Sequence, residues 1–442
     1  MLRRFFELDR NRTTVARELQ AGLTTFAAMA YILAVNPAIL SNTGMDKGAL
    51  VTVTAAVATA IMALMTNYPL ALAPGMGINA FFTFSICIGK GVPWTEALGM
   101  VFVNGFVFLL LSVTGVRERI MAAIPPPLKV AISCGIGLFI AFIGLKNGGV
   151  IVANPETFVG PGDFTSGSAA LCLAGIVLTA ILVSRRVTGA IVIGMAAVTV
   201  AGLFVPAGGG AMVTSLPEHL FALPHSAAPI FLKLTFRFLS SSAGFFAALP
   251  IILTLLLVDV FDNIGTLIGV TKRAGLLDES GRLPKAGRAL MADSIATLLS
   301  ALSGTSTVVS YIESASGVAA GGRTGLTSLT TAALMVLALF LTPLILIIPS
   351  AATAPALVIV GIFMMQSVVE IPMDDFKAAA PAVLTLFAIP LTFRIAQGIG
   401  IGLISAALMA LGLGRPRSFP RLGYAVAAIF FLEFFRIWPF RG

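Results

Sequence analysis

Two aspartates interrupt an apolar run in the stretch VDVFDNIGTLIGV, residues 258–270. Asp259, Asp262 and Thr266 are spaced i, i+3 and i+7, so on a helix they share one face. One aspartate at the centre of a bilayer costs about 2.5–3.5 kcal/mol, and the isoleucines and leucines of 251–257 offset at most about 3.6 kcal/mol. Both carboxylates must therefore face protein or water, where they bind a ligand or proton or clamp two helices together. No Lys or Arg occurs in 244–271 as an ion-pair partner, which favours the ligand or proton role.

A third acid, Glu313, lies in GTSTVVSYIESASGVAAGG, residues 304–322, a stretch rich in Gly, Ser and Thr. Such a composition resists a plain lipid-facing helix, and irregular backbone at membrane depth is tolerated only around a buried cavity. The stretch ALAPGMGINAFFTF, residues 71–84, is interrupted in a similar way and contains Asn79. Close helix packing would explain the glycines, but it does not explain a glutamate beside them. These two broken segments therefore predict a polar site within the membrane.

Three further residues are weaker candidates for this site. Asp293, in RALMADSIATLLS, lies near a cluster of basic residues, so a structural or gating role is as well supported as proton coupling. Phe26 and Tyr31, in the first apolar run, are typical core residues, with stacking on a flat ligand as the alternative.

The elements that must position these residues are membrane helices. The chain has 442 residues, of which 58% are hydrophobic and 11% charged, with mean hydropathy +1.01. Because soluble domains carry about 25% charged residues, we expect a polytopic membrane protein. The net charge of +9 then reflects membrane orientation rather than nucleic-acid binding, and three cysteines without metal-ligand spacing favour neither disulfides nor zinc. We expect no cofactor, no metal and no enzymatic activity.

Apolar runs and the two broken segments together predict fourteen crossings, with a retained first span in place of a cleaved signal peptide. The runs lie near 18–40, 48–67, 96–115, 128–146, 168–184, 188–205, 244–270, 286–302, 325–348, 353–371, 376–393 and 396–413. With a cytoplasmic N-terminus, only six of the 28 Lys and Arg residues lie outside, namely Lys47, Lys90, Lys146, Lys233, Arg237 and Arg394. This bias favours a cytoplasmic N-terminus. We expect the protein to lie in the plasma membrane of a bacterium. Arg436 is counted on the cytoplasmic side, and residues 422–438 either span the membrane or lie at its surface.

The chain also looks duplicated. Residues 186–194 resemble 394–402, and 71–84 can be aligned with 300–313, which places Gly75 on Gly304. Seven crossings in each half would invert the second repeat, an arrangement typical of transporters. The predicted divisions are a cytoplasmic N-terminus at 1–17, a first repeat at 18–205, an extracytoplasmic connection at 206–243, a second repeat at 244–414 and a C-terminal tail with an apolar helix at 415–442.

Four stretches together resemble the adenine/guanine/hypoxanthine permeases, the AzgA-like branch of the nucleobase-cation symporters within the xanthine/uracil permease superfamily. They are ELQAGLTTFAAMAYILAVNPAIL at 18–40, APGMGINAFF at 73–82, VDVFDNIGTLIGV at 258–270 and GTSTVVSYIESASGVAAGGRTGL at 304–326. The resemblance implies an all-α fold of fourteen segments in two inverted repeats, with core and gate domains. It also implies that segments 3 and 10 carry short strands at mid-membrane, where the substrate sits, and that purine import is coupled to protons.

The resemblance also implies roles for individual residues. Asp262 matches the carboxylate that holds the nucleobase, Glu313 the carboxylate of segment 10, Asn79 the polar residue of segment 3, and Asp259 a neighbouring acid. A carboxylate can accept two N–H groups of a purine edge, and backbone near Ile312 and Ser314 could read the rest. Either Phe81, beside Ala80, or Phe26 could cover the flat face. The predicted substrate-binding residues are Asp262, Glu313, Asn79, Phe81, Ala80, Ile312, Ser314, Phe26 and Tyr31. Proton coupling or support of the site is predicted for Asp259, Glu313, Asp262, Asp293 and Thr266.

Two other functions fit parts of the pattern. A sulfate or dicarboxylate carrier of the same architecture is disfavoured by acidic residues at the site. An intramembrane aspartyl protease would also need two membrane carboxylates, but its Gly-x-Gly-Asp pattern is absent from the sequence. The expected partners are a purine nucleobase, a proton and the lipid bilayer, with a homodimer as a further expectation.

Overall fold

A computed structural model describes residues 2–51, 53–114, 124–208, 211–276 and 283–437. Within 242–273 the backbone is described throughout, but the side chains of Phe261, Asp262, Ile264, Gly265, Ile268, Lys272 and Arg273 lie outside the description. The predicted binding residue Asp262 is therefore placed only by its backbone.

Helices dominate the chain, because a backbone in hydrocarbon must satisfy its own hydrogen bonds. In the first half they are α1 Leu2–Phe5, α2 Val15–Met29, α3 Ile32–Leu40, α4 Thr54–Thr66, α5 Met76–Ala80, α6 Trp94–Thr114, α7 Pro126–Asn147, α8 Gly167–Ser184 and α9 Ala190–Ala201. In the second half they are α10 Ser242–Arg273, α11 Ala286–Leu302, α12 Ser314–Ala319, α13 Gly325–Ala338, α14 Thr342–Leu346, α15 Ser350–Met365, α16 Phe376–Thr392, α17 Ile395–Gly412 and α18 Arg421–Phe434. A π-helical turn, Phe81–Ile88, continues α5.

Among the described residues, eight helical stretches are long and apolar enough to cross a membrane, and four shorter apolar helices accompany them. The chain is therefore a multi-pass membrane protein, as its composition predicts. The total of fourteen crossings, the orientation and the domain boundaries stay predictions.

Short strands pair where the two broken segments meet. Strand β1, Leu72–Pro74, runs antiparallel to β6, Val308–Ser310, with Ala73 opposite Val309. The expected strands in segments 3 and 10 are thus present. Two hairpins lie elsewhere, β2 Ile151–Asn154 with β3 Phe158–Pro161, and β4 Pro206–Gly208 with β5 Ala211–Met212.

Both broken segments have the same order, a strand followed by a short helix, and the antiparallel strands send α5 and α12 in opposite directions. This agrees with an inverted repeat, but the alignment of 71–84 with 300–313 is wrong. It would place β1 on the end of α11, whereas the paired strands make residues 72–74 equivalent to 308–310. The alignment matched Gly75 with Gly304, although the two glycines have different positions in their segments. Gly304 has φ +81° and ends α11, with Thr305 N–H bonded to Ser300 O at 2.9 Å, whereas Gly75 has φ −67° and begins α5.

The helices pack in two groups, and the strand pair lies against α4, α10 and α11. One group contains α2, α4, α6, α11 and α13, with α12 packed on α2. The other contains α7, α8, α9, α15, α16 and α17. The two groups match the division into core and gate domains that the family resemblance implies.

The C-terminal helix α18 runs back along α17. Asn67, at the end of α4, donates to Phe6 O at 2.9 Å, so segment 3 leaves the N-terminal face and reaches the opposite face at Lys90. Arg394 donates to Gly89 O at 3.3 Å, which places the start of α17 at the same face as Lys90. Glu433, near the end of α18, forms an ion pair with Lys90 at 2.8 Å. Arg436 therefore lies on the Lys90 side, and its assignment to the side of the N-terminus is wrong.

We expect the C-terminus to lie on the side of the membrane opposite the N-terminus. Alkaline phosphatase and green fluorescent protein, each fused after Gly442 in bacterial cells, report the two sides of the membrane. The same fusions after Gly414, before α18, are the matched control and should give the opposite result, because we expect α18 to return the chain across the bilayer. Identical results at the two positions would contradict this topology.

Candidate functional site

The strand pair brings two helix N-termini to the middle of the molecule. Gly75 N–H donates to Thr307 O at 3.0 Å, which extends the pairing to the start of α5. At the other strand, Tyr311 N–H donates to Ala71 O at 2.9 Å, and the Tyr311 hydroxyl donates to Pro74 O at 2.6 Å. The N-terminal end of a helix carries the positive end of its dipole. At α12 the first N–H groups are already bonded, since Ser314, Ala315 and Ser316 donate to Tyr311 O, Ile312 O and Glu313 O at 2.9–3.1 Å. The broken segments thus bring two positive helix ends together.

Glu313 lies three residues after the end of β6 and directly before α12. Its carboxylate Oε1 accepts a hydrogen bond of 2.6 Å from the hydroxyl of Tyr31, which lies where α2 gives way to α3. Tyr31 is buried, whereas Glu313 is half-buried and the Ile312 side chain is 53% exposed. The Tyr31 hydroxyl therefore holds this carboxylate from the buried side. The neighbouring Ile312 is exposed, so the carboxylate lies near the exposed edge of the strand pair.

Asn79, in α5, is fully buried within a chain of polar side chains. Its Nδ2 donates to Asn36 Oδ1 at 2.8 Å, and its Oδ1 accepts a short hydrogen bond from the Ser306 hydroxyl. Asn79 thus joins α3 to the loop before β6. Sequence reasoning missed Asn36 and Ser306, although most buried amides are hydrogen-bonded to polar neighbours.

The remaining predicted neighbours differ in burial. Ser314 is buried, and its Oγ accepts the Ala71 N–H at 3.0 Å. Ala80 and Phe81 are each 1% exposed and lie in the apolar core, whereas Phe26 is half-buried. Phe81 is thus packed in the apolar core in this conformation, and Phe26 is the more accessible of the two rings.

Behind β6, a buried network joins the other acids through Asn263. The Asn263 Nδ2 group donates to Asp259 Oδ1 at 2.8 Å and to Asp293 Oδ2 at 2.7 Å. Asn263 Oδ1 accepts the Ser310 N–H at 2.9 Å, and Asn104 donates to Asp259 Oδ2 at 3.3 Å. One amide therefore fixes α10 and α11 to the end of β6, three residues before Glu313.

The structure thus separates the predicted residues into two clusters. Tyr31 and Glu313 share a hydrogen bond, whereas Asp259 and Asp293 are joined through Asn263 in the network behind the strand. Thr266 is half-buried two turns along α10 from Asp259. Asn263 was missed, although its position four residues after Asp259, on the same helix face, was a usable signal.

Glycines set how closely α12 approaches α2. A Cβ on Gly317 would lie 2.0 Å from Thr25 Oγ1 and 2.7 Å from Ala21 O. Gly322 is packed as tightly, against Thr327 and Ala21. Close packing explains these two glycines. It brings α2, which ends just before Tyr31, next to α12, which begins just after Glu313.

We expect Gly317→Ala to destabilise the protein by about 1–3 kcal/mol, because the added methyl group must push α12 away from α2. The measurement is the thermal-unfolding midpoint of the detergent-purified protein. Gly287→Ala in α11 is the control, since a Cβ there meets nothing within 4 Å. Equal midpoints for the two variants would show that the close approach contributes nothing.

Comparison with known proteins agrees with this architecture. The profile of the xanthine/uracil permeases, described as Permease family, matches residues 16–401. The chain is 42% identical to the guanine/hypoxanthine permease PbuG of Bacillus subtilis, over 98% of this chain and 99% of PbuG. It is 41% identical to the adenine permease AdeP of Escherichia coli, over 98% of this chain and 96% of AdeP.

Among solved structures, the transmembrane domain of a cyanobacterial bicarbonate transporter, BicA, superposes with a TM-score of 0.63 at 18% identity, covering 88% of this chain and 97% of that one. That likeness concerns the fold alone. A carboxylate at the edge of a mid-membrane strand pair, two half-helices and a profile match along most of the sequence lead to one conclusion: the chain is a member of the xanthine/uracil permease family.

Proposed function

We propose that this protein imports purine nucleobases (adenine, guanine or hypoxanthine) across the plasma membrane by proton symport. The observation that carries the proposal is Glu313, a half-buried carboxylate held by Tyr31 at 2.6 Å beside two helix N-termini at membrane depth. The names of the relatives PbuG and AdeP support the substrate class.

The chemistry of a purine fits this position. Adjacent ring N–H groups can donate to the Glu313 carboxylate, and charge-assisted hydrogen bonds of this kind are stronger than neutral ones. Backbone near Ile312 and Ser314 can bond the rest of the edge, and Phe26 can lie on the flat face. Asp262, on the same helix as Asp259, remains a proposed second contact to the base.

Proton coupling requires a carboxyl group that is protonated while the base is bound. Removing a carboxyl group from water favours its protonated form, and we propose that protonation of one carboxylate of the site, Glu313 or Asp262, accompanies purine binding, with proton and base released together inside. In alternating access, the site is then exposed to each side of the membrane in turn, as one helix group moves against the other. We propose that Asp259 and Asp293 support the site through Asn263 rather than touching the base.

The test is uptake of radiolabelled hypoxanthine, guanine and adenine into proteoliposomes, with or without an inward-directed proton gradient. One proton per neutral base supports about tenfold accumulation for each pH unit, equivalent to about 1.4 kcal/mol. Uptake that only equilibrates, whatever the gradient, would contradict symport but leave purine transport standing.

Competition between unlabelled compounds and the radiolabelled purine distinguishes a purine carrier from an anion carrier. Unlabelled purines should block uptake, whereas sulfate, dicarboxylates and bicarbonate should not, because anions would be repelled by the acidic site. Inhibition by those anions, or peptide cleavage without purine binding, would overturn the proposed function.

A further inference from the structure

A second concave site lies at the N-terminal face, away from Glu313. Its volume is about 370 Å³, and its walls come from the N-terminal segment, the end of α10 and the loop after α12. Small-molecule sites commonly occupy about 300–1,000 Å³. The lining residues are Arg10, Asn11, Arg12, Arg17, Ala274, Gly275, Leu276, Gly321 and Arg323.

The lining carries four arginines and no acidic residue. In the described part of the chain, the ion pair recorded for these arginines joins Arg10 to Glu7 at 3.1 Å, at the exposed rim. The buried carboxylate of Glu18, next to Arg17 in sequence, is turned inward. It accepts the Arg323 and Thr324 N–H groups and the Thr324 and Thr327 hydroxyls, at 2.6–3.2 Å. Among the described residues, no carboxylate lies within ion-pair distance of the other three arginines.

The walls that hold these arginines are ordered. Phe6 and Leu8 of the N-terminal segment are each 1% exposed and pack on Leu326 of α13. The stem of Arg17 lies against Gly321, where a Cβ would be 2.7 Å from Arg17 Cδ. Arg323 is fixed by hydrogen bonds of 2.7 Å from Nη1 to the carbonyl oxygens of Val318 and Gly322. Arg17 and Arg323 are thus supported by packing and hydrogen bonds, which favours ligand binding, whereas Arg10 and Arg12 are exposed at the rim.

We propose that this cavity binds a phosphate-bearing anion. Guanidinium groups suit this chemistry because each offers a planar fork of N–H donors that matches two phosphate oxygens. Arg10 Nη1 is bonded to Glu7 and Arg323 Nη1 to two carbonyl oxygens, so Arg12 and Arg17 supply most of this recognition. With the charge of the other two arginines nearby, they favour a ligand with more than one ionised oxygen, such as a pyrophosphate or phosphomonoester. The source is either a free phosphorylated metabolite or the headgroup of an anionic lipid, and the two share this recognition chemistry.

The test is the thermal-unfolding midpoint of the full chain in nanodiscs of neutral lipid, titrated with pyrophosphate, and then in nanodiscs containing phosphatidylglycerol. The test variant is Arg12→Gln/Arg17→Gln, which removes two charges from the cavity and keeps most of each side-chain stem. The matched control is Arg3→Gln/Arg4→Gln, which removes the same charge from the same terminus but outside the cavity. Purine uptake is measured separately, so failure of the transport proposal is recognised independently.

A free-phosphate site predicts that pyrophosphate raises the midpoint of the unmodified chain and of the control. In the test variant its affinity should fall at least about tenfold, as expected for lost hydrogen bonds to a charged group. A headgroup site predicts no response to pyrophosphate but stabilisation by phosphatidylglycerol that the test variant alone loses. The proposal is overturned if neither ligand stabilises the protein, or if the control loses the response as fully as the test variant.

Discussion

Glu313→Gln is expected to weaken purine binding by about 10- to 100-fold and to remove its dependence on pH. The amide keeps the size of the side chain but loses the charge, and hydrogen bonds to charged groups contribute about 1.5–3 kcal/mol each. Glutamine also cannot titrate, so if Glu313 carries the coupled proton, accumulation driven by a pH gradient should stop. The measurements are purine affinity at several pH values and gradient-driven uptake in proteoliposomes.

Tyr31→Phe is the matched control for that variant. It removes the hydroxyl that donates to Glu313 Oε1 at 2.6 Å but leaves the carboxylate in place. Binding should weaken by less than in Glu313→Gln and should still depend on pH, because the titrating group remains. If Glu313→Gln retained full pH-driven uptake, Glu313 would be neither the main purine contact nor the proton carrier.

Asn263→Ala is expected to cost about 3–5 kcal/mol of stability. The side chain donates to two buried carboxylates and accepts from the backbone of β6, so its removal takes partners from all three groups at once. Breaking a buried charged network by removing one partner typically has an effect of this size. The readout is the thermal-unfolding midpoint, together with purine affinity, which should fall because the end of β6 loses its support.

Asn104→Ala tests whether any polar deletion near Asp259 has this effect. Asn104 makes one longer hydrogen bond to Asp259, of 3.3 Å, and its own Oδ1 is buried with no hydrogen-bond partner among the described residues. Its loss should therefore cost about 1 kcal/mol or less, since removing an unsatisfied oxygen offsets the lost bond. A midpoint for Asn263→Ala equal to that of Asn104→Ala would show that the network behind β6 does not stabilise the fold.

Several features of the chain followed from sequence alone because they depend on local composition or on the cost of charge in hydrocarbon. A chain with 11% charged residues cannot cover a large surface in water, which predicts membrane helices. Glycine, serine and proline around Glu313 and Asn79 predicted two broken segments, and the structure pairs them as β1 and β6. Four long motifs in order were enough to indicate the family.

Other features required the tertiary structure, because sequence spacing does not record which helices pack together. Asn263 connects α10, α11 and β6, and only their packing places Asp293 within 2.7 Å of its amide. The direction of α18 depends on the contact between Lys90 and Glu433, 343 residues apart. The burial of Phe81, the inward turn of Glu18 and the cavity of four arginines are likewise products of packing. The sequence by itself determined that carboxylates occur within the apolar segments. The tertiary structure decided that Glu313 is partly exposed at the edge of the strand pair whereas Asp259 and Asp293 are buried, because exposure is set by neighbours distant in the chain.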